Sequence, residues 1–212
     1  MIKVIMFDYD GVIVDSLRVF GDACAKAFLA AGFPQFGTIE AILTLHERNW
    51  FAALAAVGVP EATVQEIEDA AARACEQAHL QPFPGVREVI ATLSKTSTLL
   101  VVTSSRARVV EAFLAAHRIA RISRIMGSDG ETSKVAKLTA VRAEFGDGRE
   151  YWYVGDTVGD IVEAKEADVH TIAASWGWHS ADRLLEAHPD YLVNEPGELL
   201  SILDGHHQSS DS

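Results

Sequence analysis

Residues 2–12 read IKVIMFDYDGV. Ile2 to Phe7 is a short apolar run rich in β-formers, and its length suits a buried parallel strand. The run stops at Asp8, and Gly11 permits a sharp turn. Residues two apart at a strand end point to the same side, so Asp8 and Asp10 share a face. Two carboxylates that close repel each other unless a cation or a proton intervenes. Ser16 is placed to cap the next helix, where Leu17, Phe20, Cys24 and Phe28 fall near helical spacing.

Outward from that strand, about Asp15 to Pro84 reads as helical, with one helix over Glu47 to Val57 and another over Glu61 to His79. Gln81-Pro82-Phe83-Pro84-Gly85 is a stiff boundary. Beyond it the pattern alternates. Helices are expected over Val86–Leu93, Arg108–His117, Lys134–Phe145 and Ile161–Ala167. Strands are expected over Leu99–Val102, Ile122–Met126, Tyr151–Val154 and Val169–Ala173, and a last helix-strand-helix set passes through Tyr191–Val193. Such alternation predicts an α/β fold, a doubly wound parallel sheet with helices on both faces. Residues 1–14 and 85–204 are expected to form this core. Residues 15–84 are expected as a small helical domain inserted after the first strand, and residues 205–212 as a frayed polar tail carrying His206 and His207.

The chain has 212 residues, 49% of them hydrophobic and 23% charged, an ordinary globular mixture long enough for an independent core. Two cysteines, Cys24 and Cys75, exclude a disulfide scaffold and read as buried small hydrophobes. Against 18 Lys+Arg stand 30 Asp+Glu, a formal charge of −12. A nucleic-acid surface needs a cationic face and is not expected here. A small anionic substrate remains compatible, because a bound cation and a few basic groups reverse the field locally. No stretch reaches the length of a membrane span, and the short apolar start lacks the features of a signal peptide. The expectation is a soluble, cytoplasmic protein, a monomer or a homodimer.

In an open α/β sheet, ligands gather at the carboxyl ends of the strands. Asp8 and Asp10 lie there, as do Thr103 and Ser104 after Leu99–Val102. Asp156 follows Tyr151–Val154, with Asp160 a turn later, and Lys134 opens a helix on the same side. This set suits phosphoryl chemistry. Mg²⁺ favours one or two carboxylates plus phosphate oxygens and water. A carboxylate beside the ion can attack phosphorus, and the other carboxyl can protonate the leaving oxygen and later activate water. Thr103 and the Ser104 N–H can donate to a phosphoryl oxygen, and Lys134 can neutralise charge.

Asp8-Tyr9-Asp10-Gly11-Val12 resembles the first motif of the haloacid dehalogenase-like superfamily. Thr103 after an apolar strand resembles the second, Lys134 the third, and Gly155-Asp156-Thr157-Val158-Gly159-Asp160 the fourth. The inserted helices are similar to the cap of phosphatases of the phosphoglycolate phosphatase type. Ala174-Ser175-Trp176-Gly177-Trp178 and the segments Pro189–Val193 and Pro196–Leu200 add to the likeness. The resemblance implies Asp8 as nucleophile and Asp10 as general acid and base. It implies Mg²⁺ held by Asp8, the Asp10 carbonyl and Asp156, with Asp160 supporting, under a cap that closes over the substrate. Dehalogenases of the superfamily lack the second aspartate, so Asp10 points to phosphoryl transfer. Phosphonatase-type relatives use a cap lysine, for which Lys26 is the candidate and a poor one. Tyr9 departs from the usual aliphatic residue. Val135 stands where close relatives often carry proline, which makes Lys137 the fallback for Lys134.

The expected function is a Mg²⁺-dependent phosphatase acting on a small phosphorylated metabolite, phosphoglycolate-like or a sugar phosphate. The alternatives are a sugar-phosphate mutase using the same site and a non-catalytic phosphometabolite-binding module. Arg106 and Arg108 are candidates for a substrate carboxylate, although solvated arginines are the commoner outcome. Trp50, Phe51 and Phe36 are candidates for lining a substrate pocket, although packing in the core of the small helices is the commoner outcome. Trp176 and Trp178 are as compatible with packing as with the site. His46, His170 and His179 show no mutual metal spacing and receive no role.

Overall fold

The computed structural model describes residues 2–205 of the chain. The expected tail, with His206 and His207, lies outside them. Strands β1 (Ile2–Phe7), β2 (Ser97–Val102), β3 (Arg124–Met126), β4 (Arg149–Gly155), β5 (His170–Ala174) and β6 (Tyr191–Val193) form one sheet, ordered β3-β2-β1-β4-β5-β6. Every neighbouring pair is parallel. Phe7 stands level with Val101 on one side and Val154 on the other, so β1, β2 and β4 end at nearly the same height. The chain order reverses at β1, which puts the switch point of the sheet beside Asp8.

Side-chain alternation divides the strands between two apolar layers. Ile5, Phe7, Leu99, Val101, Trp152 and Val154 pack with helices α5 (Val86–Leu93), α6 (Ala107–Ala116) and α10 (Glu198–Gly205). Val4, Met6, Leu100, Val102, Tyr151 and Tyr153 pack with α7 (Lys134–Phe145) and α8 (Val158–Glu166). Helix α9 (Ala181–Glu186) completes the second layer against Ile161 and Ala173. Burial on both faces explains why the strands read as unbroken apolar runs. The architecture is the expected doubly wound α/β fold.

Between β1 and α5 the chain forms α1 (Leu17–Ala30), a 3₁₀ turn at Pro34–Phe36, α2 (Ile39–Leu45), α3 (Trp50–Ala56) and α4 (Glu61–Gln77). These helices surround their own apolar cluster, which includes Cys24, Phe28, Ile42, Leu54 and Ile67. Expectation and structure differ at several helix starts. The helix expected from Glu47 starts at Trp50, because the Asn49 side chain accepts the Ala52 N–H and caps it. Ser16 stands at the head of α1 but makes no capping bond. Its hydroxyl donates instead to Asp10. The helix expected from Ile161 starts at Val158, where Thr157 and Asp160 form a reciprocal capping box.

Candidate active site

Asp8 follows β1 directly and is buried. One carboxylate oxygen accepts the Tyr9 N–H at 2.7 Å, and the other meets the Lys134 ammonium at 2.5 Å. Lys134 opens α7, whose start is capped by the Ser133 hydroxyl. Its ammonium also bonds Asp160 and lies over the Tyr153 ring, 5.7 Å from the centroid. Burial pulls the Lys134 ammonium down, but Asp160 and Asp8 outweigh it and hold the group well above its usual range, so it stays charged. Burial likewise pushes Asp160 up, and Lys134 with the Thr157 hydroxyl and N–H reverses that. The second Asp160 oxygen accepts the N–H groups of Asp156 and Thr157, both at 3.1 Å.

Asp10 shares a cavity with Asp8, Thr103, Ser104, Lys134 and Asp156. Two hydroxyls hold its carboxylate, Ser16 at 2.6 Å on one oxygen and Ser105 on the other. Burial raises the Asp10 carboxyl above its ordinary range, against the pull of Ser105 and Ser16. Thr103 is buried at the end of β2, and its hydroxyl accepts the Ser105 N–H at 3.1 Å, turning the chain over the strand ends. Thr103 also has a hydroxyl suited to capping the helix that follows, α6. The cap position there belongs to Arg106.

Lys137 is also buried, but its ammonium bonds the carbonyls of Thr103 at 2.7 Å and Gly127 at 3.2 Å rather than Asp8. Burial, reinforced by Lys134, lowers it to about 8. Arg106 pairs with Asp69 and Arg108 with Glu76; neither lines the cavity over Asp8 and Asp156, though Arg106 borders a small adjoining cavity with Asp10, Glu68 and Ser105. Lys26 is exposed on α1. His179 serves structure: its Nδ1 accepts the Val158 N–H and its other ring nitrogen meets the Leu43 carbonyl. Trp178 lines the cavity, whereas Trp176 donates to the Val12 carbonyl.

The reading of the sequence missed several contributors. Ser105 lies two residues after Thr103 at the same strand end, and that spacing could have found it. Glu163 accepts both the Lys134 N–H at 3.2 Å and the Asn49 amide at 3.0 Å, tying α7 and α8 to the start of α3. Phe20, His46, Trp50 and Glu68 come from the inserted helices and their loops and line the same cavity. No spacing in the sequence marks them as neighbours of Asp8.

Asp8, Asp156 and Asp160 each offer a carboxylate oxygen, all within 4.8 Å of one another. Burial and the charges of Asp160 and Asp8 push the Asp156 carboxyl well above its ordinary range. Burial raises Asp8 to about 7 despite the opposing pull of Lys134. Hard oxygen donors in mutual repulsion suit Mg²⁺, which would favour both ionised forms. Asp156 is shaped for a fixed position. A Cβ at Gly11 would lie 1.8 Å from its Oδ2 and one at Gly177 2.4 Å away, and the Trp178 N–H donates to that oxygen at 2.7 Å. The oxygens of Asp160 are already engaged by Lys134, Thr157 and the turn, so it suits an outer, supporting place.

A profile of the haloacid dehalogenase-like hydrolases matches residues 5–174. The phosphoglycolate phosphatase of Synechococcus elongatus is 29% identical over 216 residues, covering 95% of this chain and 97% of that one. The phosphoglycolate phosphatase of a Haemophilus influenzae strain is 25% identical, with 95% and 98% covered. Among solved structures, a haloacid dehalogenase-like hydrolase from Streptococcus pneumoniae superposes with a TM-score of 0.74 at 22% identity, covering 95% of this chain and 98% of the other.

Proposed function

This chain belongs to the haloacid dehalogenase-like hydrolases, and from that premise we propose that it is a Mg²⁺-dependent phosphatase that hydrolyses a small phosphate monoester through a phosphoryl group carried on Asp8. The observation that carries the reading is the Asp8 carboxylate itself, clasped by Lys134 within reach of Asp156 and facing the same cavity as Asp10. The names of its relatives make phosphoglycolate the first substrate to try, with sugar phosphates next.

Asp8, the Asp10 carbonyl and Asp156 would hold the ion, with Asp160 behind them; bound there, Mg²⁺ supplies charge that offsets the phosphate and keeps Asp8 ionised. An Asp8 oxygen attacks phosphorus, and the bond from phosphorus to the ester oxygen breaks. Asp10, whose burial favours the protonated form, gives its proton to the departing oxygen. The resulting Asp10 carboxylate then takes a proton from water as the water oxygen attacks phosphorus, which frees phosphate and restores Asp8. Ser16 and Ser105 fix the orientation of Asp10 through both steps. Thr103 and the Ser104 N–H donate to the phosphoryl oxygens, and Lys134 counters the charge on nucleophile and phosphate.

Residues 15–84 act in this reading as a cap. Their seam with the sheet domain includes Gly159 N–H to the His46 carbonyl at 2.9 Å, the Asn49–Glu163 bond and the Arg183–Glu47 pair. Admission of substrate requires that seam to part. The test is turnover of p-nitrophenyl phosphate with and without EDTA, and in Asp8→Asn. Loss of turnover in both, restored in the first by added Mg²⁺, is the expected result. Activity indifferent to the chelator, or retained in Asp8→Asn, would overturn the proposal.

A further inference from the structure

The residues that the inserted helices contribute to the cavity form a wall of a different chemistry from the strand ends. Phe20, His46 and Trp50 lie against one another, and Phe20 and His46 also meet Trp178. His46 stacks on Trp50 with centroids 4.7 Å apart and planes 8° from parallel, and Phe20 meets Trp178 at 5.1 Å. Set into these rings is one carboxylate, Glu68 of α4, which accepts the Trp50 indole N–H at 2.6 Å. Glu68 forms no ion pair among the described residues. The nearest guanidinium by field, that of Arg106, is committed to Asp69.

That wall is poorly built for a carboxylate. Of the groups lining the cavity, Asp8, Asp10, Glu68 and Asp156 are acidic and Lys134 alone is a fixed cation, already bound to Asp8 and Asp160. His46 cannot substitute for a cation. Its Nε2 is buried without a partner, and burial, reinforced by the positive field of Lys134, holds the ring to its neutral form at about 3. A carboxylate on the leaving group would be desolvated against aromatic faces and beside Glu68, with no free cation among the described lining residues and only the unpartnered Trp178 indole N–H and neutral His46 Nε2 to offset the loss. Burial raises the Glu68 carboxyl to about 7; an ammonium in the same place favours its ionised form and gains the ring faces as well.

Resting on the phosphatase reading above, we infer that the ring wall with Glu68 selects a cationic leaving group, so that the preferred substrates are phosphomonoesters of small amino alcohols rather than of hydroxy acids. Glu68 is the specificity-determining residue, and Trp50 positions it. The phosphoryl end of such an ester meets the strand ends while its ammonium end meets the cap, so both charges are matched within one closed site.

The experiment compares kcat/KM in Mg²⁺ for phosphocholine, its uncharged isostere 3,3-dimethylbutyl phosphate, phosphoethanolamine and phosphoglycolate. Cation–π attraction with a carboxylate partner leads to at least about a tenfold preference for phosphocholine over the isostere. Phosphoglycolate falls below both. Glu68→Gln shrinks the cation-over-isostere ratio towards one, and Glu68→Arg shifts the ranking towards phosphoglycolate. Quenching of tryptophan fluorescence by the same four ligands gives affinities independent of chemistry, because Trp50 and Trp178 line the site. Hydrolysis of phosphoglycolate or of the isostere as fast as phosphocholine would overturn the inference and leave the phosphatase reading intact. Hydrolysis of none of these esters nor of p-nitrophenyl phosphate would sink the phosphatase reading, and the order of the fluorescence affinities would then decide the inference alone.

Discussion

Lys134 and Lys137 lie one turn apart on α7, and both are buried, yet their ammonium groups do different things. Lys134 meets Asp8 and Asp160, and Lys137 meets two carbonyl oxygens. Lys134→Met is therefore expected to lower kcat/KM for p-nitrophenyl phosphate by about 10²–10³-fold, the usual loss when one preorganised charge-stabilising donor is removed. Lys137→Met is expected to cost less than tenfold. Steady-state kinetics of the two variants check the ordering, and equal losses would contradict it. His46 makes a separate prediction about stability. Its native ring is held near about 3 by burial, while in the unfolded chain it titrates near its ordinary value. Between those two values the unfolded chain binds the extra proton, so this group's contribution falls as pH drops through that window. Each unit of pH there is worth about 1.4 kcal/mol. His46→Phe keeps an aromatic ring and removes the titration. Urea unfolding should show the variant gaining about 2 kcal/mol on wild type between pH 7 and pH 5. A constant difference across that range would contradict the assignment.

At the scale of elements, the seam between α8 and the loop after α2 is tight. A Cβ at Gly159 would lie 2.8 Å from the carbonyl oxygens of both His46 and Arg48, and neither is a flexible side-chain end. Gly159→Ala is expected to cost about 1–3 kcal/mol by overpacking and to prop the 46–49 loop away from the sheet. Thermal melts should show the loss, and a raised KM should accompany it; an unchanged KM would separate this seam from substrate enclosure. The sheet, its parallel order and the central strand ends were legible because β1, β2 and β4 run buried on both faces into their carboxyl ends and stop at a polar residue: Phe7 before Asp8, Val102 before Thr103, Gly155 before Asp156. Lys134 was legible from Ser133, a cap residue that fixes where α7 begins. The inserted helices were read less well. Glu47 was assigned to a helix that Asn49 starts later, and α2 was not foreseen, because its seven residues carry too little periodicity. Glu68, Trp50, His46 and Phe20 could not be read as one wall, since only the packing of α1 against α4, and of α3 against α2 and α4, brings the four together.

For the whole molecule, the dominant electrostatic fact is a formal charge of −12 with buried carboxylates converging on the sheet's switch point. Folding places Asp8, Asp156 and Asp160 together against burial and mutual repulsion, so an ion that binds only the folded chain stabilises it. At free Mg²⁺ about a hundred times its dissociation constant, linkage adds about 2.7 kcal/mol, which for a chain of this size raises Tm by about 5–10 °C. Asp156→Asn removes a proposed ligand and part of the repulsion. That variant should melt higher than wild type in EDTA and lose most of the Mg²⁺-dependent rise. A rise of equal size in both would place the ion elsewhere. The covalent route has a more direct test. In Asp10→Ala the group proposed to activate water is gone, while p-nitrophenolate leaves without needing a proton, so phosphoryl should accumulate on the enzyme. Acid-quenched peptide mass spectrometry of that variant with p-nitrophenyl phosphate and Mg²⁺ is predicted to find one hydroxylamine-labile phosphoryl group on Asp8. A hydroxylamine-stable phosphoryl on Thr103 or Ser105, or label unchanged by Asp8→Asn, would contradict it.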